Sequence, residues 1–237
     1  MRSSYFHMKV DGEIREAISL RRLKRFSALV ELEGKEGIAY LPNTGRVWEL
    51  LTPDQQVFLV KRDNPRRKTK WDLYLFPLDK NLVWADPRAA NSLVFEALKE
   101  GLPPKFQRFR SIYREVNFEG NRFDFLLLND GQRCLLEAKS VTLVQEGRAL
   151  FPDAPTQRGV RQLKALVAAK REGYEGSIIF VIQREDAHIF SPNGELDPQF
   201  SHALWEAVEK GIKIYAYSSK VKIDEIVLGE EVGIPLK

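Results

Sequence analysis

The chain has 237 residues, of which 43% are hydrophobic and 30% charged, with 37 Lys and Arg against 33 Asp and Glu. This balance is that of an ordinary globular protein and excludes a disordered chain. No apolar run reaches the roughly 18 residues of a membrane-spanning helix, and the first residues lack a secretory signal, so we expect a cytoplasmic protein that does not enter the membrane. The single cysteine, Cys134, excludes an internal disulfide and a cysteine-based metal cluster.

The positive charge is concentrated in the first part of the chain. Residues 1–85 carry a net charge of +5, whereas residues 86–237 carry −1. A basic region favours a polyanionic partner, although a solvated surface explains the excess equally well.

Short apolar runs broken by turns extend from about Arg21 to Phe76, with no helical run between them. They read FSALVEL, GIAYL, RVWELL, VFLV and KWDLYLF. Their spacing predicts a small β-barrel, OB-like or SH3-like, over residues 1–85.

After Pro87 the period of the apolar residues changes. Residues 89–100 form an amphipathic pattern that ends at Gly101, as a helix would. The elements predicted after it are strands near 112–118, 122–129 and 132–144, a helix near 155–172, a strand at 177–182, a helix near 198–210 and the strand IKIYAYS. This order indicates an α/β domain over residues 86–237.

The hairpin RFDFLLLNDGQRCLLEAKS brings charged residues together. Asp130-Gly131 is a favoured two-residue type I′ turn. With this turn as the loop, the register sets Asp124 opposite Glu137 and Arg122 opposite Lys139, all on one face.

Two opposed carboxylates on strands that are otherwise apolar repel each other, and a hard divalent cation would offset this repulsion. We therefore predict that Asp124 and Glu137 bind Mg²⁺ or Mn²⁺, with Glu115 of the preceding strand as a third ligand. Lys139 would position or activate a water molecule. The alternative is a neutral quartet in which Asp124 pairs with Lys139 and Glu137 with Arg122.

An Asp followed on the next strand by Glu-Ala-Lys, between two helices, resembles the PD-(D/E)xK nuclease superfamily. Phe123 replaces the proline of the motif name. The resemblance implies that Asp124, Glu137 and Lys139 are catalytic residues of a restriction-endonuclease-like domain.

A narrower resemblance extends from about Arg15 to Leu236. Seven blocks are similar, in order, to the sugar fermentation stimulation protein A family: PNTGR with Glu49-Leu50, RKTK, NSLVFEAL, RFDFLL, EAKSVTLV, FPDAPTQRG and DPQF. It implies nucleic-acid binding and an N-terminal OB-like β-barrel followed by the nuclease-like domain. Where the family leads us to expect Lys-His, this chain has Arg161-Gln162, so a role of that histidine passes to Gln162 or is lost.

The expected partner is nucleic acid, and DNA in particular. Whether the chain associates with itself is left open. Asp153 precedes the helix near 155–172 as an N-cap or a site residue. Two basic segments of the barrel, residues 21–26 and 66–71, end in the aromatic residues Phe26 and Trp71, which could stack on bases, with Trp48 and Tyr74 nearby. The residues expected to contact nucleic acid are Arg21, Arg22, Arg25, Arg46, Arg66, Arg67, Lys68 and Lys70, with Arg158 and Arg161 at the second helix.

Three functions are consistent with these features. The first is a metal-dependent nuclease, and the second is a non-catalytic DNA-binding regulator of sugar metabolism genes that retains the nuclease scaffold. The third is a structural α/β protein with surface ion pairs.

Overall fold

A computed structural model describes residues 7–43, 45, 47, 50–101 and 103–235. The strands are β1 (His7–Lys9), β2 (Ile14–Lys24), β3 (Ser27–Leu32), β4 (Lys35–Tyr40), β5 (Gln55–Lys61), β6 (Trp71–Leu78), β7 (Asn81–Trp84), β8 (Ser111–Phe118), β9 (Asn121–Asn129), β10 (Gln132–Val141), β11 (Val144–Gln145), β12 (Arg148–Phe151), β13 (Glu175–Ile182), β14 (Ile189–Pro192), β15 (Lys213–Val221) and β16 (Glu225–Glu231). The α-helices are α1 (Arg88–Lys99), α2 (Gln157–Arg171) and α3 (Pro198–Glu209), and a 3₁₀ helix spans Pro104–Phe106. Among the residues described, every helix is too short or too polar to cross a bilayer.

The amino-terminal part of the chain is an OB-like barrel. Its strands pair in the order β4-β3-β2-β5-β6-β7, and a further pairing of Tyr40 with Asp72 joins β4 to β6. Apolar residues that alternate along these strands, such as Val57, Leu59 and Leu73, fill the interior. The predicted barrel is therefore confirmed.

Two barrel strands were missed by the sequence patterns. Strand β2 reads IREAISLRRLK, and its many charged residues conceal the few positions, such as Ala17 and Ser19, that point inward. Strand β7 has only four residues. The prediction of a strand at RVWELL was wrong for the residues that the structure describes, because Val47 and Leu50 lie in a loop. Arg46, Trp48 and Glu49 lie outside the described residues.

The carboxy-terminal part is a restriction-endonuclease-like α/β domain. Its large sheet has the order β1-β16-β15-β13-β10-β9-β8, with β10, β13 and β15 parallel. Helix α1 and the barrel cover one face, while α2 and α3 cover the other. Strand β10 is covered on both faces, which explains its run of apolar residues. A small sheet β11-β12-β14, not predicted from the sequence, lies beside it.

The two parts of the chain are joined by strand pairing and by a side-chain hydrogen bond as well as by the covalent link between them. Strand β1, in the segment expected to belong to the barrel, pairs instead with β16 of the large sheet. The hydroxyl of Tyr74, on β6, donates to the carbonyl of Ile223 at 2.6 Å.

A buried carboxylate also joins the barrel to α1. The side chain of Asp72 has no exposed surface and accepts hydrogen bonds from Arg62 at 3.1 Å, from Arg67, and from Arg88 of α1 at 3.2 Å. Burial raises the pKa of Asp72, but the hydrogen bonds from Arg67, Arg88 and Arg62 outweigh it and leave the pKa lowered. Arg88 also contacts Asp86 at 2.5 Å, so the first turn of α1 is fixed to the barrel.

We predict that Asp72→Asn lowers the free energy of unfolding at neutral pH by about 3 kcal/mol, because it leaves arginines without their buried anion. The lowered pKa of Asp72 means that its stabilisation is present above the unfolded pKa of about 4 and is lost at lower pH. The difference between variant and wild type should therefore shrink on acidification. Urea titrations at several pH values measure it, with the exposed Asp63→Asn as control; an equal stability of Asp72→Asn and wild type at pH 7 would contradict the prediction.

Candidate active site

The β9–β10 hairpin has the predicted register as far as the pair of Phe125 with Leu136, and the predicted pairs of Asp124 with Glu137 and of Arg122 with Lys139 lie beyond the ladder. Asp130 and Gly131 both have positive φ, at 36° and 86°, as a type I′ turn requires. Asn129 pairs with Gln132, and the ladder continues to its last pair, Phe125 with Leu136.

Beyond that pair the two carboxylates complete the hydrogen bonding of the strands. The backbone N–H of Ala138 donates to Asp124 Oδ2 at 2.8 Å. The backbone N–H of Asp124 donates to Glu137 Oε2 at 3.3 Å. The predicted proximity of Asp124 and Glu137 is confirmed, and each carboxylate is held by the backbone of the other strand.

Glu137 is 3% exposed and is surrounded by donors. Its Oε1 accepts from Lys139 Nζ at 2.7 Å and from Gln162 Nε2 at 2.7 Å. Gln162, on α2, also accepts from Lys139 Nζ at 2.6 Å and donates to the carbonyl of Arg122 at 3.0 Å. The residue that occupies the expected histidine position therefore lies inside the site.

Asp124 lies in a different electrostatic environment. Its Oδ1 accepts from Asn91 Nδ2 of α1 at 2.7 Å. Burial and the negative charge of Glu137 raise its pKa to about 6, against the opposing effects of the Ala138 N–H and Lys139. Asn91 was not singled out from the sequence as a site residue; it begins the block NSLVFEAL, and a polar residue beside the apolar face of α1 was the available signal.

The charges around Asp124 and Glu137 do not pair as the sequence suggested. Glu115 lies on edge strand β8 with its side chain 54% exposed, and it pairs with Arg122. The neutral quartet is not formed either, because Lys139 pairs with Glu137. Within the described ranges, no group of three or more His, Cys, Asp or Glu side chains is arranged to hold a metal ion.

The carboxylates face an open cleft of about 390 Å³ between the two parts of the chain. The barrel contributes Asn43 and Gly45 to its wall. A Cβ on Gly45 would overlap the carboxylate of Asp153, so this loop packs its bare backbone against the nuclease-like domain. Residues of the carboxy-terminal part that line the cleft include Arg88, Asn91, Asp124, Glu137, Lys139 and Arg158.

Helix α2 begins differently from the sequence expectation. Its N-cap is Thr156, whose Oγ1 accepts from the N–H of Gly159 at 3.1 Å, so the N-cap alternative for Asp153 was wrong. Arg158 lines the cleft, while Arg161 is exposed outside the lining residues.

The barrel residues expected to bind nucleic acid fall into two groups. Arg22 and Arg67 have structural partners: Arg22 donates to the carbonyls of Gly45 at 2.7 Å and Asn43 at 3.2 Å, and Arg67 pairs with Asp72. Tyr74 is buried, so it is not available to stack on a base. Arg46 and Trp48 lie outside the described residues. The exposed candidates are Arg21, Arg25, Arg66, Lys68 and Lys70.

These features define a class of protein, an OB barrel joined to a restriction-endonuclease-like domain. Residues 20–85 match the family described as SfsA N-terminal OB domain, and residues 88–225 match the sugar fermentation stimulation protein RE domain. The chain belongs to the sugar fermentation stimulation protein family.

Similar proteins cover nearly the whole chain. A sugar fermentation stimulation protein homolog of Acetivibrio thermocellus is 41% identical over 92% of this chain and 94% of its own length. A homolog of Clostridium acetobutylicum is 40% identical over 97% and 100%. The solved structure described as Pyrococcus furiosus SfsA in complex with Ca²⁺ matches with a TM-score of 0.89 and 28% identity, covering 97% of this chain and 98% of that one.

We predict that Asp124→Asn raises the free energy of unfolding at pH 7–8 in EDTA, because it removes a charge that burial and Glu137 disfavour. The gain should be smaller than the roughly 3 kcal/mol that corresponds to the raised pKa, because the new amide must turn its N–H groups towards one of the two donors, Asn91 or Ala138. The folded protein keeps a proton on Asp124 between about pH 4 and 6 that the unfolded chain has released. The wild type should therefore lose stability as pH rises through this window, whereas the variant should not. Denaturant titrations measure both curves, with Asp130→Asn in the exposed turn as control. A destabilised Asp124→Asn at pH 8 would show that the charge is structurally required.

Proposed function

We propose that this protein is a divalent-metal-dependent nuclease that hydrolyses phosphodiester bonds of nucleic acid, and of DNA in particular. The observation that carries the proposal is the convergence of Asp124, Glu137 and Lys139 on one open cleft. A structural ion pair would explain Glu137 with Lys139, but it leaves the crowded carboxylate of Asp124 unexplained.

The donor atoms fit a hard cation such as Mg²⁺ or Mn²⁺. Asp124 and Glu137 offer carboxylate oxygens, and the pKa of Asp124 is raised by burial and, second, by the negative charge of Glu137, which a bound cation would offset. Two carboxylates are a sparse set, but Mg²⁺ is commonly held by one or two of them together with water and substrate phosphate. The carbonyl of Ala138 is a further candidate ligand. The Ca²⁺ named for the Pyrococcus furiosus relative supports a divalent cation here.

A bound cation would supply Lewis-acid activation of the phosphate and a more acidic water. The protein's own contribution comes from Lys139. An ammonium group has three N–H donors, and Glu137 and Gln162 account for two of them. The third is available to orient a water molecule or to stabilise charge that develops on a phosphate oxygen.

The remaining cationic residues would hold the nucleic-acid backbone. Arg158, in the first turn of α2, lines the cleft, and the amino-terminal N–H groups of this helix also favour an anion. The exposed basic residues of the barrel, in a region with a net charge of +5, would extend this surface.

A second candidate function is a DNA-binding regulator of sugar metabolism genes without catalysis. One observation favours it: in the part of the chain that the structure describes, the carboxylate pair lacks a third acidic ligand. Binding without cleavage would support this function.

The first test is cleavage of labelled single- and double-stranded DNA and RNA with Mg²⁺, with Mn²⁺ or with EDTA. We expect metal-dependent cleavage that Asp124→Asn and Glu137→Gln abolish, since each removes a proposed ligand charge. Glu115→Gln is the matched control and should retain activity, because its carboxylate pairs with Arg122 on the sheet edge. Cleavage that persists in EDTA, or in Asp124→Asn, would refute the metal site.

A second prediction separates the role of Lys139 from metal binding. Lys139→Met should lower turnover by about 100-fold or more, as the loss of one preorganised donor to a developing charge does. Its affinity for Mn²⁺ should be close to that of the wild type, because an ammonium group is not a ligand. Calorimetric titration with Mn²⁺ and single-turnover cleavage measure the two quantities, with Lys164→Met on the exposed side of α2 as control. Loss of Mn²⁺ binding in Lys139→Met would contradict this division of roles.

A further inference from the structure

The outer surface of the barrel carries a hollow of about 600 Å³ that combines aromatic and basic side chains. We call it the aromatic hollow, and its characteristic residues are Phe26, Ile38, Tyr40, Arg67, Lys68 and Arg88. Sequence patterns had singled out Phe26 and Lys68 but not Ile38 or Tyr40.

The hollow exposes apolar surface that a folded chain would ordinarily bury. Phe26 is 42% exposed and Ile38 is 52% exposed. The rings of Phe26 and Tyr40 are nearly parallel, with an interplanar angle of 17° and centroids 6.1 Å apart. Neighbouring apolar groups in a concavity mark a binding surface more often than scattered ones do. Parallel rings of this kind suit a planar heterocycle.

The charge around the rings is positive. The guanidinium of Arg25 lies 5.3 Å from the ring centroid of Phe26, and Lys68 is exposed at the rim. Every charged side chain among the described residues that line the hollow is a Lys or Arg. Arg67 and Arg88 are partly neutralised by Asp72, so Arg25 and Lys68 supply the charge that a ligand would meet. The surface therefore complements a ligand that is both planar and anionic.

The aromatic hollow and the cleft are adjacent. Arg88 lines both of them. Tyr40, in the hollow, is three residues from Asn43, in the cleft, and three residues span at most about 11 Å. This distance is within the footprint of roughly 4–16 nucleotides that a single OB fold covers.

Building on the nuclease function proposed above, we propose that the substrate is single-stranded nucleic acid whose bases stack on Phe26 and Tyr40 while the strand continues into the Asp124–Glu137 cleft. A duplex presents its phosphates to a basic surface, but its base faces are covered by neighbouring bases. The exposed ring of Phe26, beside the half-buried Tyr40, therefore distinguishes the two, because only an unpaired base can stack on it.

The test compares affinities for a labelled oligo-dT of about 16 nucleotides and for a blunt hairpin duplex, by fluorescence anisotropy in EDTA. We expect Phe26→Ala to weaken single-strand binding by about tenfold or more and to leave duplex affinity unchanged, while Phe26→Trp retains single-strand binding. Tyr113→Ala is the matched control, an aromatic residue on β8 that is 52% exposed, against 42% for Phe26. Unchanged single-strand affinity in Phe26→Ala, or an equal loss for both ligands, would overturn the proposal.

A second measurement does not depend on the aromatic ring. Lys68→Ala should lower the slope of log affinity against log salt for the single strand by about 0.7, the value for one phosphate contact. Lys80→Ala, in the turn between β6 and β7, should not change the slope. Arg67 is left in place because its removal would leave Asp72 short of a partner. An unchanged slope in Lys68→Ala would show that Lys68 makes no phosphate contact at the aromatic hollow.

Cleavage assays on the same oligonucleotides separate this inference from the function on which it rests. Single-strand binding that depends on Phe26, without cleavage of any oligonucleotide, would refute the nuclease activity and support the stacking site. Metal-dependent cleavage, together with a single-strand affinity that Phe26→Ala does not change, would refute the stacking site and support the nuclease activity.

Discussion

The arrangement of the site depends on the hydrogen bonds that the two carboxylates make where the β9–β10 ladder ends. Buried backbone N–H groups require partners, and beyond the pair of Phe125 and Leu136 those of Ala138 and Asp124 find them in Asp124 and Glu137. The carboxylates are therefore fixed by main-chain groups that cannot move without separating the strands. The fold therefore keeps Asp124 buried and close to Glu137, and both burial and the charge of Glu137 raise the pKa of Asp124.

Gln162 shows how one neutral side chain can organise the charged ones. Its amide donates to Glu137 and accepts from Lys139 at the same time, which requires both a donor and an acceptor. A neutral histidine also has one donor and one acceptor, so the residue expected from the family resemblance could make an equivalent pair of bonds. The glutamine differs in that it does not titrate, so its own donor and acceptor groups do not change with pH.

Local patterns predicted the parts of the site that depend on local geometry. The Asp130-Gly131 turn sets the strand register, and this register brings Asp124 and Glu137 to the end of the ladder, where each side chain accepts a hydrogen bond from the facing strand. The hairpin register does not extend to Glu115, whose backbone has a positive φ of 56° on an edge strand and whose side chain turns out towards Arg122.

Contributions from other elements required the tertiary structure. Asn91 and Gln162 reach the carboxylates from α1 and α2, which pack on opposite faces of the sheet. No spacing in the sequence relates these helices to β9 and β10. In the barrel, the charged residues of β2 concealed a strand whose buried positions are small or polar, so its apolar alternation was too weak to identify.

The position of the cleft relative to the barrel follows from interactions that cross between the two parts. Asp72 of the barrel holds Arg88, which Asp86 also binds, and α1 then carries Asn91 to Asp124. On the other wall, the backbone of Gly45 lies against Asp153. Arg88 lines both the cleft and the aromatic hollow, but its charge is committed to two carboxylates. Its contribution is therefore to fix the distance between the two surfaces, and the charge that attracts a nucleic acid must come from residues such as Arg158 and Lys68.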